Sequence, residues 1–290
     1  MSKYYCLIAG LPSISPDDTK LNSSVYDFKN ELELILSAQD QKLMRWFYLK
    51  FDNRNILSLL RNTIEEQFDE RGNFSKTDII ELYTSLKEED RIPKDSPAPA
   101  YFSTFIRDFL NRVENDKSAD SLLLEDHLTA LYYEEAIKCG NKFLSAWFEM
   151  NLNIGNMMSA LNCRKYGLDK EAFIIGDNEI AGMLRQSNTR DFNTGESVDY
   201  MSELLLIVEL DELMMREKRL DLLRWKWLDE NTFFKTFDIE SVIGYMLRLE
   251  MIERWVVLDK AGGEKTFRRL VSAMKQESVD TLEDFKEKNK

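Results

Sequence analysis

Proline occurs only in the first hundred residues of this chain, and its absence from the rest limits the folds that the chain can adopt. The five prolines of the 290 residues are Pro12, Pro16, Pro93, Pro97 and Pro99. Because proline breaks helices and marks the turns of β-rich folds, a proline-free stretch from 100 to 290 favours helices. The 11 glycines are also few for this length. The sequence therefore predicts an all-α fold.

The charge balance narrows the classes of partner. Lys and Arg number 39 against 52 Asp and Glu, which gives a net charge of −13. A surface of that sign repels phosphate backbones, so we expect no nucleic-acid partner. The longest apolar run after the N-terminal segment, residues 204–208, is far below the roughly 20 residues that cross a bilayer. We expect a protein that is peripheral to a membrane and not inserted in it.

Cysteine and histidine are too sparse for the usual metal and redox motifs. Cys6, Cys139 and Cys163 lie far apart with no C-x-x-C pair, which suits a reducing cytoplasm. His127 is the only histidine, and its place before an apolar run favours a helix-start or surface residue. Phosphate-loop, dinucleotide, nucleophile-elbow and zinc-protease motifs are absent. We expect no catalytic, cofactor-binding or metal-ligating residues and no cofactor, although a substrate pocket of scattered residues stays open.

Two polar connectors divide the chain into thirds. Lys87–Ala100 combines charges with three prolines, and Gln186–Tyr200 is polar and lacks helical periodicity. We predict three helical modules in tandem, covering residues 1–93, 94–193 and 194–290. Limited proteolysis should cut first within the two connectors.

A sequence repeat supports this division. Residues 47–60 align with residues 148–161 at an offset of 101, with four identities in fourteen positions. A fainter third copy lies at residues 237–243, at an offset of 186 from the first. Amphipathic helices share apolar spacing by chance, but chance does not explain the shared polar positions, which indicate an internal duplication.

The shared polar positions are typical of helix starts. Asp52, Asn153 and Asp238 each follow an apolar residue and precede an apolar-periodic run. At such a position a side chain caps the helix by accepting a free backbone N–H, and its loss costs about 1 kcal/mol. Three residues further on, at position N3 of each predicted helix, stand Asn55, Asn156 and Ser241. The motif is therefore interpreted as an N-cap with a structural role.

Apolar spacing also predicts long helices over Asn30–Leu49, Leu122–Phe148 and Met201–Trp227. The last carries basic residues around Trp225 and Trp227. Such a segment could stack nucleobases, bind a partner helix or lie on lipid headgroups. Alternatively the tryptophans belong to the core, and the net charge of −13 favours that interpretation.

The repeated segments resemble the C-subunit family of V/A-type ATPases, whose eukaryotic V-ATPase members are designated d. Residues 51–61 resemble that family's D-x-x-N-L-k-x-l-L-R segment, and residues 131–134 followed by Asn153 and Asn156 are similar to its second segment. Residues 237–247, continuing to Glu250 and Glu253, resemble its third. Residues 4–12 also resemble the N-termini of divergent bacterial proteins encoded beside V-type ATPase genes.

The resemblance implies a funnel-shaped, all-helical protein at the cytoplasmic face of the membrane. Such a protein would be a non-catalytic rotor adaptor that couples the central shaft to the membrane proteolipid ring for proton or sodium transport. Its partners would be the shaft subunits and the ring, and no residue carries over as catalytic. The alternatives are a helical-repeat protein-interaction scaffold unrelated to ATPases and, third, an enzyme with a pocket that no motif reveals.

Overall fold

A computed structural model describes residues 4–94, 96–114, 121–195 and 197–259. Helices account for all the regular secondary structure of these residues, and the all-α prediction is confirmed. The helices, in chain order, are α1 (Tyr5–Gly10), α2 (Val25–Ile35), α3 (Ala38–Leu60), α4 (Ile64–Gln67), α5 (Lys76–Glu89), α6 (Ala100–Glu114), α7 (Ser121–Ala136), α8 (Lys142–Tyr166), α9 (Glu179–Gln186), α10 (Met201–Val208), α11 (Leu213–Thr232) and α12 (residues 239–259). A short 3₁₀ turn covers Lys170–Ala172.

The described residues group into two compact units. One joins the chain ends and contains described residues of Met1–Glu31 and Lys235–Lys290, and the other comprises those of Leu32–Phe234. The predicted boundaries near 93 and 193 and the tandem funnel remain predictions. Residues 260–290 of the predicted third module lie outside the described part of the chain.

The larger unit is built by sequential helix packing around an aromatic and aliphatic core. α3 contacts α4, α5 and α7, and the run from α5 to α8 packs each helix on the next. α8 then contacts α9 and α10, and α10 contacts α11. Phe105, Leu144 and Met157 are fully buried in this unit. Such packing produces a stiff interior, because closely packed side chains resist displacement.

The smaller unit packs α12 against the N-terminal part of the chain. The ring of Phe28 on α2 lies 5.3 Å from that of Tyr245 on α12. The backbone N–H of Val25 donates to the Glu253 carboxylate at 3.0 Å. Contacts over more than two hundred residues of sequence therefore join the two ends of the chain.

Each of the three long helices predicted from apolar spacing is wrong in extent, because a turn divides it in two. Ser37 separates α2 from α3 and accepts the backbone N–H of Asp40 at 3.3 Å. Gly140, at φ +85°, and Asn141 separate α7 from α8, and Asn141 accepts the Leu144 N–H at 3.1 Å. Residues 209–212 separate α10 from α11. Periodicity continues across these breaks because the flanking helices both bury apolar faces, whereas a cap satisfies the free N–H groups and starts a new helix.

The two predicted connectors are confirmed as breaks between helices. α5 ends at Glu89, where Asp90 adopts a left-handed conformation (φ 49°), and α6 begins at Ala100. α9 ends at Gln186 and α10 begins at Met201. Asp95 and Glu196 lie outside the described residues. Among the helices that the structure describes, none combines the length and apolarity needed to cross a bilayer.

Candidate functional site

The repeated motif lies inside its helices in the first two copies, and the N-cap interpretation is wrong there. Asp52 lies in the middle of α3, whose N-cap is Ser37, and is 0% exposed. Asn153 lies within α8, whose N-cap is Asn141. A polar residue after an apolar one marks a helix start, but it equally marks a polar group on a buried helix face. Asp238 does directly precede α12, so the helix start predicted there is confirmed.

In the first copy Asp52 holds the loop that follows α4. Its two carboxylate oxygens accept the backbone N–H of Asn73 at 2.9 Å, and one accepts that of Phe74 at 3.2 Å. The Asn73 side-chain amide donates to Oδ2 at 2.8 Å. A carboxylate this deeply buried needs such donors, because burial without hydrogen bonds would be very costly.

Asn55 binds the same loop one turn further along α3. Its Nδ2 donates to the Asp69 carbonyl oxygen at 2.9 Å, and its Oδ1 accepts the Asp69 backbone N–H at 2.8 Å. The side-chain amide therefore pairs with both polar groups of one residue. Asp52 and Asn55 together form what we call the first brace, since they fix the backbone from Asp69 to Phe74 against α3.

A salt bridge on the surface adds to the first brace. Arg71 donates to the two Asp69 oxygens at 2.9 and 2.6 Å, and its guanidinium lies 4.2 Å from the centre of the Phe51 ring. Burial of Asp69 alone would raise the pKa of its carboxyl, but the hydrogen bonds and charge of Arg71 outweigh burial and hold that pKa below its usual value. The loop is therefore tied to α3 both beneath and above its backbone.

Gly72 allows the close approach of the loop to Asp52. A Cβ at this position would lie 3.0 Å from the Asp52 Cγ and closer still to Oδ1. No side chain fits there unless the carboxylate moves. Glycine is required here by proximity, since no positive φ is involved.

The second copy contains a matching arrangement, the second brace. Asn156 Nδ2 donates to the Ile175 carbonyl oxygen at 2.8 Å, and its Oδ1 accepts the Ile175 N–H at 2.9 Å. Asn153 Oδ1 accepts from Asn178 Nδ2 at 2.8 Å, and Asn178 itself caps α9 by accepting the Ala181 N–H at 2.9 Å. Asn156 therefore does for α8 what Asn55 does for α3, which confirms that the two segments are structurally related.

A tyrosine after each connector adds a hydrogen bond to the neighbouring motif. Tyr101 donates from its hydroxyl to Asn53 Oδ1 at 2.7 Å, and Tyr200 shares a hydrogen bond with the Asn153 side chain. Burial is the largest cause of the raised pKa of both phenols, which is well above the usual value for Tyr101 and about 12 for Tyr200. Both hydroxyls are therefore neutral donors at physiological pH.

The two copies meet at equivalent residues. The rings of Phe47 and Phe148, which occupy the same position of the repeat, lie 5.4 Å apart. The hydroxyl of Tyr132 on α7 donates to the Trp46 carbonyl oxygen at 2.9 Å, and its ring lies 5.8 Å from Phe148. The repeat extends upstream of the predicted segment, because Trp46 matches Trp147 at the same offset. That identity was visible in the sequence and is absent from the alignment that starts at Phe47.

The third copy has a different register from the one predicted. Asp238 precedes α12, whereas Asp52 and Asn153 lie within their helices, so the offset of 186 is wrong. An offset of 198 places Tyr245 at the position of Phe47, and it places two carboxylates at the motif positions, Glu250 and Glu253. Glu253 then holds backbone as Asn55 and Asn156 do, through the Val25 N–H. Here the backbone comes from the N-terminal part of the chain.

Other residues singled out in the sequence have structural surroundings. Trp225 is buried, and Trp227 packs 5.6 Å from Trp147, so the core interpretation of the tryptophans is confirmed. His127 lies within α7, not at its start, and its Nε2 lies 2.9 Å from a carboxylate oxygen of Asp108. Among the described residues no group of three or more His, Cys, Asp or Glu side chains could hold a metal ion.

The braces spend their polar atoms on the fold. Asp52 and Asn55 are 0% exposed and Asn156 is 2% exposed, so solvent and solutes do not reach them. Their hydrogen bonds join a helix to a loop 14 to 22 residues away. The arrangement can therefore stiffen a helix–loop–helix unit, and it presents no group for chemistry on a substrate.

Comparison with known proteins identifies a family and corrects the resemblance. The family model described as "Protein of unknown function (DUF2764)" matches residues 1–278. Neither a curated protein nor a solved structure matches the chain. Membership in the C-subunit family of V/A-type ATPases is therefore wrong. The residues that suggested it are the brace residues, whose spacing follows from holding a loop against a helix and is not diagnostic of one family.

Proposed function

This chain belongs to the DUF2764 family, and we propose that it is a non-catalytic adaptor that couples the central shaft of a V-type ATPase to the membrane proteolipid ring. In this role it would transmit torque during proton or sodium transport, at the cytoplasmic face of the membrane. The proposal concerns what the chain does and does not depend on descent from the C-subunit family.

The observation that supports a mechanical role is the pair of braces. Both fix a loop to a long helix through buried hydrogen bonds, and they use the residues that the chain repeats. An element that passes force between two partners must resist local opening, which buried hydrogen bonds and close packing oppose. A repeated feature that is inaccessible to solutes suits an adaptor better than an enzyme.

Two features support the rotor as the partner. The segments of α3 and α8 share their residue pattern with known shaft-to-ring adaptors, as described for the sequence. The net charge of −13 suits contact with a basic shaft end, since opposite charges steer two proteins together. The first feature links the chain to the rotor, and the second concerns association.

A second candidate function is a helical scaffold that joins proteins unrelated to ATPases. The observation that favours it is the set of large apolar residues that the described part of the chain leaves exposed on α10 and α11, including Leu206 and Leu213. Exposed apolar residues next to one another suit protein contact of many kinds. The identity of the partners separates the two candidates.

Co-purification from native membranes tests the proposal. The full chain carries an affinity tag at its C-terminus, the membranes are solubilised in mild detergent, and the recovered subunits are quantified by mass spectrometry. We expect the shaft and ring subunits in near-stoichiometric amounts, with none from an untagged strain. Recovery of unrelated partners without ATPase subunits would reject the rotor adaptor in favour of the scaffold.

A further inference from the structure

The turn between α10 and α11 carries apolar side chains that the core does not use. Leu206 is 64% exposed, Leu213 65%, Met214 44% and Met215 45%. We call these four residues the hairpin tip. Three of them are consecutive in the first turn of α11, so they form a local apolar patch and not scattered single residues.

The buried faces of both helices are already occupied. α10 packs against α8 and α11, with Leu204 and Ile207 buried. α11 buries Leu220, Leu223 and Leu228 further along the same helix. The hairpin tip is therefore left over after these helices have formed their share of the core.

Acidic residues surround the hairpin tip. Glu209, Asp211 and Glu212 are exposed and occupy the turn itself. Glu209 lies 3.6 Å from Arg190, in a pair that is exposed on both sides. Arg216 donates to the Leu210 carbonyl oxygen at 2.7 Å, which holds the turn in place. The patch is thus apolar at its centre, anionic at its rim and fixed to α11 by one hydrogen bond.

The exposed face of α10 continues from the tip toward a cleft. Glu203 stands three residues before Leu206 on α10, which places both on one helix face. Together with Tyr200, Trp227 and Glu230, it lines a cleft of about 310 Å³ between α10 and α11. Carboxylates beside aromatic rings are the surroundings that a lysine or arginine side chain prefers.

We infer that the hairpin tip, its acidic rim and this cleft form a docking surface for a basic amphipathic helix of a partner protein. The inference rests on the proposed adaptor function and names the surface that would hold one partner. Apolar side chains of such a helix would cover the tip, where methionine adapts to varied shapes. Its lysine or arginine side chains would meet the rim and the cleft. Anionic lipid is disfavoured, because the rim carboxylates repel it.

A binding titration tests the inference. The probe is a fluorescein-labelled synthetic helix of leucine and lysine, and its anisotropy is followed with the full chain at physiological salt. The tip variant Leu213→Gln/Met214→Gln should raise Kd at least tenfold. The rim variant Asp211→Asn/Glu212→Gln should raise Kd at least threefold and weaken its salt dependence.

Matched controls separate a site from general attraction. Leu168→Gln removes an apolar residue of similar exposure elsewhere, and Glu88→Gln/Glu89→Gln removes two exposed charges from α5. Both should change Kd by less than twofold. Equal loss in the control and site variants would overturn the inference, and so would binding of the wild type, but not the tip variant, to phosphatidylglycerol vesicles. Circular dichroism confirms that each variant is folded.

A tagged tip variant in cells distinguishes this inference from the proposed function. If the wild type recovers the rotor and the tip variant loses one partner, both are supported. If the tip variant recovers the rotor equally well, the docking surface is wrong and the adaptor function stands. If the wild type recovers no rotor while the peptide still requires the tip, the function is wrong and the docking surface stands.

Discussion

The first and second braces hold similar loops with different chemistry. Both use an asparagine amide that pairs with one backbone residue, Asn55 on α3 and Asn156 on α8. Beside it the first brace has a buried carboxylate, Asp52, with backbone donors, whereas the second has the neutral Asn153 with the Asn178 side chain. The amide pair is the shared component, and the charge belongs to one copy only.

The largest expected effect breaks this difference. Asp52→Ala leaves the N–H groups of Asn73 and Phe74 buried without their acceptor, so we expect a loss of about 3 kcal/mol of unfolding free energy. Asn153→Ala removes acceptors for side chains and should cost about 1 kcal/mol. Urea unfolding of both variants measures the contrast. Equal losses would contradict the distinction between the two braces.

The shared amide pair predicts equal effects. Asn55→Ala and Asn156→Ala each leave one buried N–H and one buried carbonyl without a partner, so each should cost about 2 kcal/mol. Ser58→Ala on α3, which removes a hydroxyl of a nearby position, is a control for truncation. If the two asparagine variants differed by more than about 1 kcal/mol, the two copies would not be equivalent.

Glycine substitutions should have opposite signs in the two copies. Gly72→Ala forces the Asp52 carboxylate away from its donors and should cost about 2 kcal/mol. Gly155→Ala in α8 meets no atom within 4 Å and should stabilise by about 0.5 kcal/mol, because alanine restricts the unfolded chain and favours helices. Thermal unfolding of the two variants tests the sign, and destabilisation by Gly155→Ala would show that α8 is tighter than described.

The smallest expected effect concerns acid pH. Arg71 keeps the pKa of Asp69 below its usual value, whereas the second copy has the non-titrating Ile175 at the matching place. A carboxyl with a depressed folded pKa adds stability above its unfolded value, near 3.9, and loses it as pH falls through the folded value. Asp69→Asn should therefore flatten the fall of unfolding free energy between about pH 5 and pH 2. An unchanged slope would show that this ion pair does not contribute.

The all-α fold, the two connectors and the repeat could be predicted because they depend on local signals. Missing prolines, polar linkers and matched polar positions are properties of neighbouring residues. The caps that divide the long helices, Ser37 and Asn141, were also present in the sequence. They were missed because apolar spacing continues on both sides of each break.

The braces themselves could not be predicted from spacing. Whether Asn156 caps a helix or holds a loop depends on its partner, Ile175, nineteen residues away. Periodicity describes the face on which a residue lies and says nothing of the distant backbone that meets it. The register of α12 was different, because Glu250 and Glu253 already showed the motif spacing in the sequence.

The central claim is that this protein couples ATP hydrolysis to ion transport, and coupling can be measured directly. Inverted membrane vesicles from cells that lack the gene are assayed for ATP hydrolysis and for ATP-driven ion uptake, with a strain expressing the restored gene as control. We predict that uptake per ATP hydrolysed collapses without the protein and recovers with it. Unchanged uptake from a fully assembled ATPase in the deletion strain would contradict this coupling role.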